Sequence, residues 1–207
     1  MPELEGLLRV DEPLLKPSAL TCARAFADDS ISRWLIPDED KRANMRYSFE
    51  VPLRLNMMGV GEAYTTSPDC EGVAIWSLSS EKQSLRLAVR AGFPRLPLRC
   101  GLRYMLRDAA MMKFCYQARR EYAPPLHMYL GILAVAPEHQ GKGVASRLLR
   151  PMLKQLDESK IACYLETQNL KNVDMYRHFG FDQVHETVLP GSDIKLYLML
   201  RQPLTNG

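Results

Sequence analysis

The feature that most constrains the fold is an apolar segment that leads into a glycine-rich turn within residues 128–146. Residues 128–135 form an apolar run of strand length, and Gly141 and Gly143 stand where a helix must begin. Glycine allows backbone N–H groups to approach an anion without a side chain in the way. Because the first turn of a helix has free N–H donors and a partial positive charge, phosphate groups bind there. The segment therefore predicts a strand, an anion-binding turn and a helix.

Two other phosphate-binding turns fail on spacing. The P-loop requires a serine or threonine after its lysine, whereas Lys142 is followed by Gly143. The dinucleotide-binding fingerprint requires a third glycine at the position that Ser146 occupies. A glycine turn that only packs the strand against the helix remains an alternative.

The elements around this turn predict one domain over residues 1–207, because no linker or repeat interrupts the chain. Before it, the patterns indicate helices at 17–28, 38–58 and 82–91 and a hairpin of 61–66 with 73–76. After it they indicate a helix at 143–157, a strand at 161–167, a helix at 172–179 and strands at 181–188 and 194–200. This order implies an α/β fold with a central twisted mixed sheet flanked by helices.

Positive charge is concentrated in residues 81–122, which hold ten bases and three acids and so carry a net charge of +7. The whole chain carries a net charge of +3. Within this stretch an apolar stripe recurs at helical spacing, formed by Leu98, Leu102, Met105, Leu106, Ala109 and Met112. The bases at 95, 99, 103 and 107 lie on a different face. A solvated helix surface is the simpler interpretation, and a nucleic-acid-binding face is the alternative. Nucleic acid is not expected as a partner.

Several sequence features favour a cytoplasmic protein without metal. No apolar run approaches the ~20 residues of a membrane-spanning helix, so no membrane partner is expected. Residues 1–5 are acidic and lack the layout of a signal peptide. The five cysteines are odd in number and scattered without metal-ligand spacing, which predicts reduced, buried thiols. Disorder is expected only near the ends, such as 202–207.

The turn and the motifs after it resemble those of the GNAT acetyltransferases. Residues 140–145, Gln-Gly-Lys-Gly-Val-Ala, match the family's Q/R-x-x-G-x-G/A motif. Further motifs follow in the family's order at 164–167, 172–176 and 179–181, so the resemblance covers 126–200. With the G-V-A-I-W segment at 72–76, the combination is most similar to the puromycin N-acetyltransferase-like branch.

The resemblance implies the GNAT acyl-CoA N-acyltransferase fold, with acetyl-CoA as co-substrate. Residues 126–200 would form the acetyl-CoA-binding half and residues 1–125 the acceptor-side half. The pyrophosphate would lie on the turn, and the amide-bearing arm would pair with a strand that splays from its neighbour. The positions implied to bind acetyl-CoA are Leu133, Ala134, Val135, Gln140, Gly141, Lys142, Gly143, Val144, Ala145, Ser146, Asn172 and Tyr176.

Two catalytic residues are expected. Tyr176 matches the family tyrosine that protonates the leaving thiolate, although a core tyrosine with a hydrogen-bonded hydroxyl is the structural alternative. Glu166 is the best carboxylate for a general base, with His127 second and water as a further alternative. Asn172 or Asn169 fits the family asparagine beside the cofactor arm, and helix capping would explain Asn172 almost as well.

The sequence therefore predicts an N-acetyltransferase that moves an acetyl group from acetyl-CoA to a primary amine of a small molecule or a protein. A non-catalytic CoA-binding or regulatory module is the main alternative. A homodimer is possible, because strand edges of such folds often pair between subunits.

Overall fold

A computed structural model describes residues 4–81 and 84–204. The predictions that rest on residues 1–3, on Lys82 and on residues 205–207 lie outside this description. Seven strands of the described chain form one sheet in the order β1-β2-β3-β4-β5-β7-β6, in which β4 and β5 are parallel and the other neighbours antiparallel. Their bounds are β1 Leu8–Arg9, β2 Glu62–Thr65, β3 Gly72–Leu78, β4 His127–Val135, β5 Ala162–Thr167, β6 Asp182–Val188 and β7 Lys195–Arg201.

Helices cover both faces of the sheet, which confirms the mixed α/β fold. In chain order they are α1 Glu12–Ala25, α2 Ser30–Leu35, α3 Glu39–Arg42, α4 Arg46–Met57, α5 Leu85–Arg90, α6 Leu96–Cys100, α7 Leu102–Tyr122, α8 Val144–Glu158 and α9 Leu170–Arg177. The apolar stripe of α8 packs on one face, where α9 also lies. α1 and α4 cover the other face over β3, and α7 covers it over β5 and β7. The sheet is therefore the middle of three layers.

Most expected elements are present, and several differ in the N-terminal half. The helix expected at 38–58 is α3, a 3-10 turn over Ala43–Met45 and α4. α1 begins five residues before position 17, because Asp11 caps it by accepting a hydrogen bond from the Leu14 amide at 3.2 Å and Pro13 fits its first turn. The stretch 96–122 is two helices rather than one, since Gly101 takes a φ of +90° between α6 and α7. β1 has no counterpart among the expected strands.

The apolar stripe expected on α6 and α7 is not the face that the fold buries. Leu96, Cys100 and Tyr104 point inward, whereas Leu98 is 90% exposed and Leu102 is 68% exposed. The buried stripe is chemically mixed and therefore inconspicuous in the sequence. The more regular leucine pattern lies on the solvent side.

The five cysteines are free and buried, as expected for structural thiols. No helix within residues 4–81 and 84–204 combines the length and the apolar character needed to cross a bilayer.

A buried ion pair ties the end of the sheet to the end of α8. Arg201 on β7 is 3% exposed and donates two hydrogen bonds to the Asp157 carboxylate, each of 2.7 Å. Its Nε also donates to the Phe179 carbonyl, and the Leu204 amide donates to Asp157. The hydrogen bonds from Arg201 hold the pKa of Asp157 below its usual range. The pair thus fixes α8 relative to the last strand.

We expect Asp157→Asn to lower the free energy of unfolding by about 2 kcal/mol, because it leaves the Arg201 guanidinium buried without a countercharge. Urea unfolding at pH 7 measures this. Since the pKa of Asp157 is lowered on folding, the difference should persist down to about pH 4 and fade below it. Asp174→Asn is the matched control, since its pair with Arg177 is exposed and should change little. Equal losses in both variants would contradict the assignment.

Candidate functional site

The glycine-rich turn connects β4 to α8 with the backbone conformation that only glycine adopts easily. Gly141 has a φ of +74° and Gly143 a φ of +78°, and Gly143 is the N-cap of α8. A Cβ at either position would meet nothing within 4 Å, so the space above the turn is open. In the described part of the chain, no group accepts a hydrogen bond from the amides of residues 141–146. The turn therefore presents a row of free donors at the positive end of a helix.

Neighbouring contacts hold this turn in place. Gln140 donates from its side-chain amide to the Val135 carbonyl at 3.2 Å, which ties the turn to the end of β4. Gly72 on β3 allows α8 to approach closely, since a Cβ there would lie 2.5 Å from a Val144 methyl and 2.9 Å from a Leu148 methyl. This packing role of Gly72 was not predicted from the sequence, although a glycine at the start of an otherwise apolar strand could have indicated it.

β4 and β5 separate at the end of the sheet that carries the turn. Their parallel pairing runs from His127 to Tyr129 and ends there, while β5 continues to Thr167 against β7. Beyond Tyr129, β4 pairs only with β3. We call the gap between residues 130–135 of β4 and residues 165–167 of β5 the β4–β5 notch. Leu133, Ala134 and Val135 lie along it and lead to the glycine turn.

A β-bulge in β4 accompanies the separation. Ile75 pairs with Ile132 and Trp76 with Leu130, so Gly131 is left without a partner on β3. The extra residue reverses the alternation of side chains, so that Tyr129 and Leu133 point to opposite faces although both are odd-numbered. The sequence signal, a lone glycine inside a strand pattern, was present and was not used.

α9 begins two residues earlier than expected, at Leu170. Its N-cap is Asn169, whose side chain accepts a hydrogen bond from the Lys171 amide at 3.0 Å. Asn172, placed at the cap by the sequence analysis, is a partly buried residue of the first turn instead. The capping explanation for Asn172 was therefore wrong, because Asn169 caps the helix.

Tyr176 lies on the α8 and α9 side of the sheet. It is 6% exposed, and its ring meets Phe181 edge-on at 5.6 Å between centroids. Burial, followed by the nearby Cys163 thiol, raises the pKa of Tyr176 above its usual range. Tyr176 is therefore a core tyrosine, as the structural alternative expected, and its role as the acid stays a prediction.

Glu166 lies on β5 at the notch and faces the α7 side, opposite to Tyr176. Arg119 of α7 reaches toward this carboxyl and places its guanidinium 3.9 Å from the centroid of the Tyr129 ring. Tyr164 stands beside Tyr129 on the same face, with ring centroids 6.3 Å apart. The Tyr129 and Tyr164 hydroxyls lie close enough to the Glu166 carboxyl to favour its ionised form by hydrogen bonding. The Glu166 Oε1 atom and the Tyr164 hydroxyl are both buried, and neither has a partner in ideal hydrogen-bonding geometry within the described chain.

Burial raises the pKa of Glu166 to about 7, although the Arg119 cation favours the ionised form. A carboxyl with this pKa exchanges its proton near neutral pH, as a general base must. His127, the second candidate for the base, is buried. Its Nδ1 lies 2.6 Å from the Pro124 carbonyl oxygen, and burial lowers its pKa.

The structure thus brings the glycine turn, the end of β4 and Glu166 to one end of the sheet. Tyr176 lies on the other face of the sheet from Glu166, near Cys163 of β5. Lys142 is exposed beside the turn. No group of three or more metal-ligating side chains occurs within residues 4–81 and 84–204. The individual roles of these residues stay predictions.

Comparison with known proteins agrees with this geometry. Residues 109–181 match the model of the acetyltransferase (GNAT) family. An uncharacterized N-acetyltransferase of Schizosaccharomyces pombe is 34% identical over 81 residues, which are 38% of this chain and 33% of that protein. An uncharacterized protein of Mycobacterium leprae is 30% identical over 86 residues, which are 41% of this chain and 24% of that protein. The match therefore spans a third or less of these curated relatives.

Among solved structures, a histone acetyltransferase HPA2 and related acetyltransferase from Corynebacterium glutamicum has a TM-score of 0.68 at 21% identity, with 96% of each chain covered. The NatC complex bound to Gag peptide and CoA has a TM-score of 0.51 at 15% identity, covering 96% of this chain and 98% of that one. These likenesses establish the fold. Residues 109–181 therefore resemble the acetyltransferase (GNAT) family, and the chain shares the fold of these solved structures.

Proposed function

We propose that the protein transfers an acetyl group from acetyl-CoA to a primary amine. The observation that supports this most directly is the β4–β5 notch, which runs from the free amides of residues 141–146 along an open strand edge to Glu166. A diphosphate needs hydrogen-bond donors, which the amides of residues 141–146 provide. An amide-bearing arm needs a free strand edge, which residues 130–135 of β4 provide.

On the donor side, the proposal assigns Gly141, Gly143 and the first turn of α8 to the pyrophosphate. Gln140 keeps the turn fixed to β4, and Lys142 adds positive charge. The pantetheine amides would pair with backbone groups of Leu133, Ala134 and Val135. Asn172 would lie beside the same arm. These side chains and amides fit an anionic, extended ligand, because the turn is open above both glycines.

Acetyl-CoA supplies an activated carbonyl and a thiol leaving group. Glu166, on the α7 face, would accept the proton that the amine loses as it attacks. A backbone N–H of β4 would donate to the carbonyl oxygen as negative charge develops there. Tyr176, on the opposite face, would give its proton to the departing sulfur, and its raised pKa keeps it protonated until then. Base and acid would thus act from the two sides of the sheet.

The amine acceptor would bind to the half of the chain before residue 126, with α7 lining one side of its site. The proposal extends to either a small-molecule or a protein amine, and the puromycin-like branch favours the former. Support for that branch is the G-V-A-I-W segment, which forms most of β3 and includes the close-packing Gly72. A cytoplasmic location and a homodimer are further proposals that rest on the sequence alone.

A non-catalytic CoA-binding module would share the turn and the notch but not the turnover. A panel of amines, read out as free CoA release, separates the two functions. Calorimetric CoA binding without release from any amine would favour the module. Absence of heat with CoA would contradict both.

For Tyr176→Phe we expect kcat to fall by about a hundredfold with CoA affinity unchanged, because only the proton donor is removed. Steady-state kinetics and calorimetry measure the two quantities. Tyr116→Phe makes the same change on an exposed ring and should be neutral. An unaltered kcat in Tyr176→Phe would exclude the tyrosine as the acid.

For Glu166→Gln we expect a loss of about a hundredfold in kcat/KM. In the unmodified protein kcat/KM should fall as the pH drops below about 7, because the base must be ionised and its pKa is about 7. The variant should lose this acidic limb. Glu158→Gln, an exposed glutamate at the end of α8, is the control. If the limb persists in Glu166→Gln, His127 or water takes the role.

A further inference from the structure

The outer side of α6 and α7 carries a row of exposed leucines. Leu98 on α6 is 90% exposed, and Leu102 and Leu106, one turn apart on α7, are 68% and 66% exposed. An arginine stands three residues before each leucine, at Arg95, Arg99 and Arg103, and these are exposed as well, with the Arg99 guanidinium over the Tyr47 ring. We call these six residues the α6–α7 ridge.

The ridge is not explained by packing within the fold. Leu96, Cys100 and Tyr104 already supply the buried side of the same helices, so the leucines contribute nothing to the core. Single exposed leucines are ordinary, but three that are each more than 60% exposed within nine residues indicate a contact surface.

Charge narrows the choice of partner. Residues 84–122 hold nine bases and two acids, a net charge of +7. A second copy presenting the same surface would bring an equal positive charge against it, which disfavours a symmetric dimer here. A nucleic acid would satisfy the arginines but would leave the three leucines facing a phosphate backbone. The partner must be anionic and apolar at once.

We propose that the α6–α7 ridge docks on the surface of an anionic lipid bilayer. The leucines would enter the boundary between headgroups and acyl chains, and the arginines beside them would meet lipid phosphates. The expectation of no membrane partner rested on the missing spanning segment, which a surface contact does not need. This inference goes beyond acetyl transfer and does not depend on it.

Sedimentation of the purified full chain with vesicles tests the proposal. We expect binding to an equal mixture of phosphatidylcholine and phosphatidylglycerol, little binding to phosphatidylcholine alone, and release in high salt. Leu102→Ser should lower the partition coefficient about tenfold, whereas Leu20→Ser, on an exposed leucine of α1, should not. Arg103→Gln should lower it several-fold, and Lys154→Gln on α8 should have a smaller effect.

Thermal unfolding confirms that each variant is folded, since all four side chains are exposed. The proposal is overturned if the unmodified chain stays in the supernatant with anionic vesicles, or if Leu102→Ser and Leu20→Ser bind alike. It is also overturned if Leu102→Ser dissociates a dimer in the absence of lipid. Binding to duplex RNA that depends on Arg103 but not on Leu102, without vesicle binding, would favour the nucleic-acid alternative.

Discussion

Beyond Tyr129, the backbone of β4 has a hydrogen-bonding partner on β3 but none on β5. An interior strand of a sheet rarely leaves its polar groups open, because each unmet donor or acceptor costs free energy unless water or a ligand satisfies it. The fold maintains the gap by pairing β5 firmly to β7 and β4 firmly to β3. The glycine turn and Glu166 both lie at the end of the sheet where these two strands separate.

The electrostatics of the notch depend on its burial. Glu166 has one arginine near it, yet the loss of solvation outweighs that cation and raises the pKa of the carboxyl. Arg119 is partly engaged by the Tyr129 ring, so its charge is shared between a carboxyl and an aromatic face. A fully paired Glu166 would stay ionised but would be a weak proton acceptor. The arrangement favours a proton that exchanges near neutral pH.

The sequence predicted the glycine turn and the strands and helices around it, but not which face of α6 and α7 is buried. The turn could be predicted because Gly141 and Gly143 separate a strand pattern from a helix pattern. The elements after it could be predicted because strands and helices alternate there. The gap between β4 and β5 was expected only through family resemblance, since strand separation depends on which neighbours pair and has no local signature. The buried stripe of α6 and α7 was misread, because Cys100 and Tyr104 are less apolar than the leucines opposite them. Tertiary packing decided that orientation.

The bulge at Gly131 limits how this strand can change in length. Since side chains alternate with a period of two, removing one residue would exchange the faces of everything between the bulge and the glycine turn. Ala134, now packed against β3 and α1, would then be turned toward α8. We therefore expect insertions and deletions among homologous chains to avoid β4 and to accumulate in the surface loops, whatever amine each chain accepts.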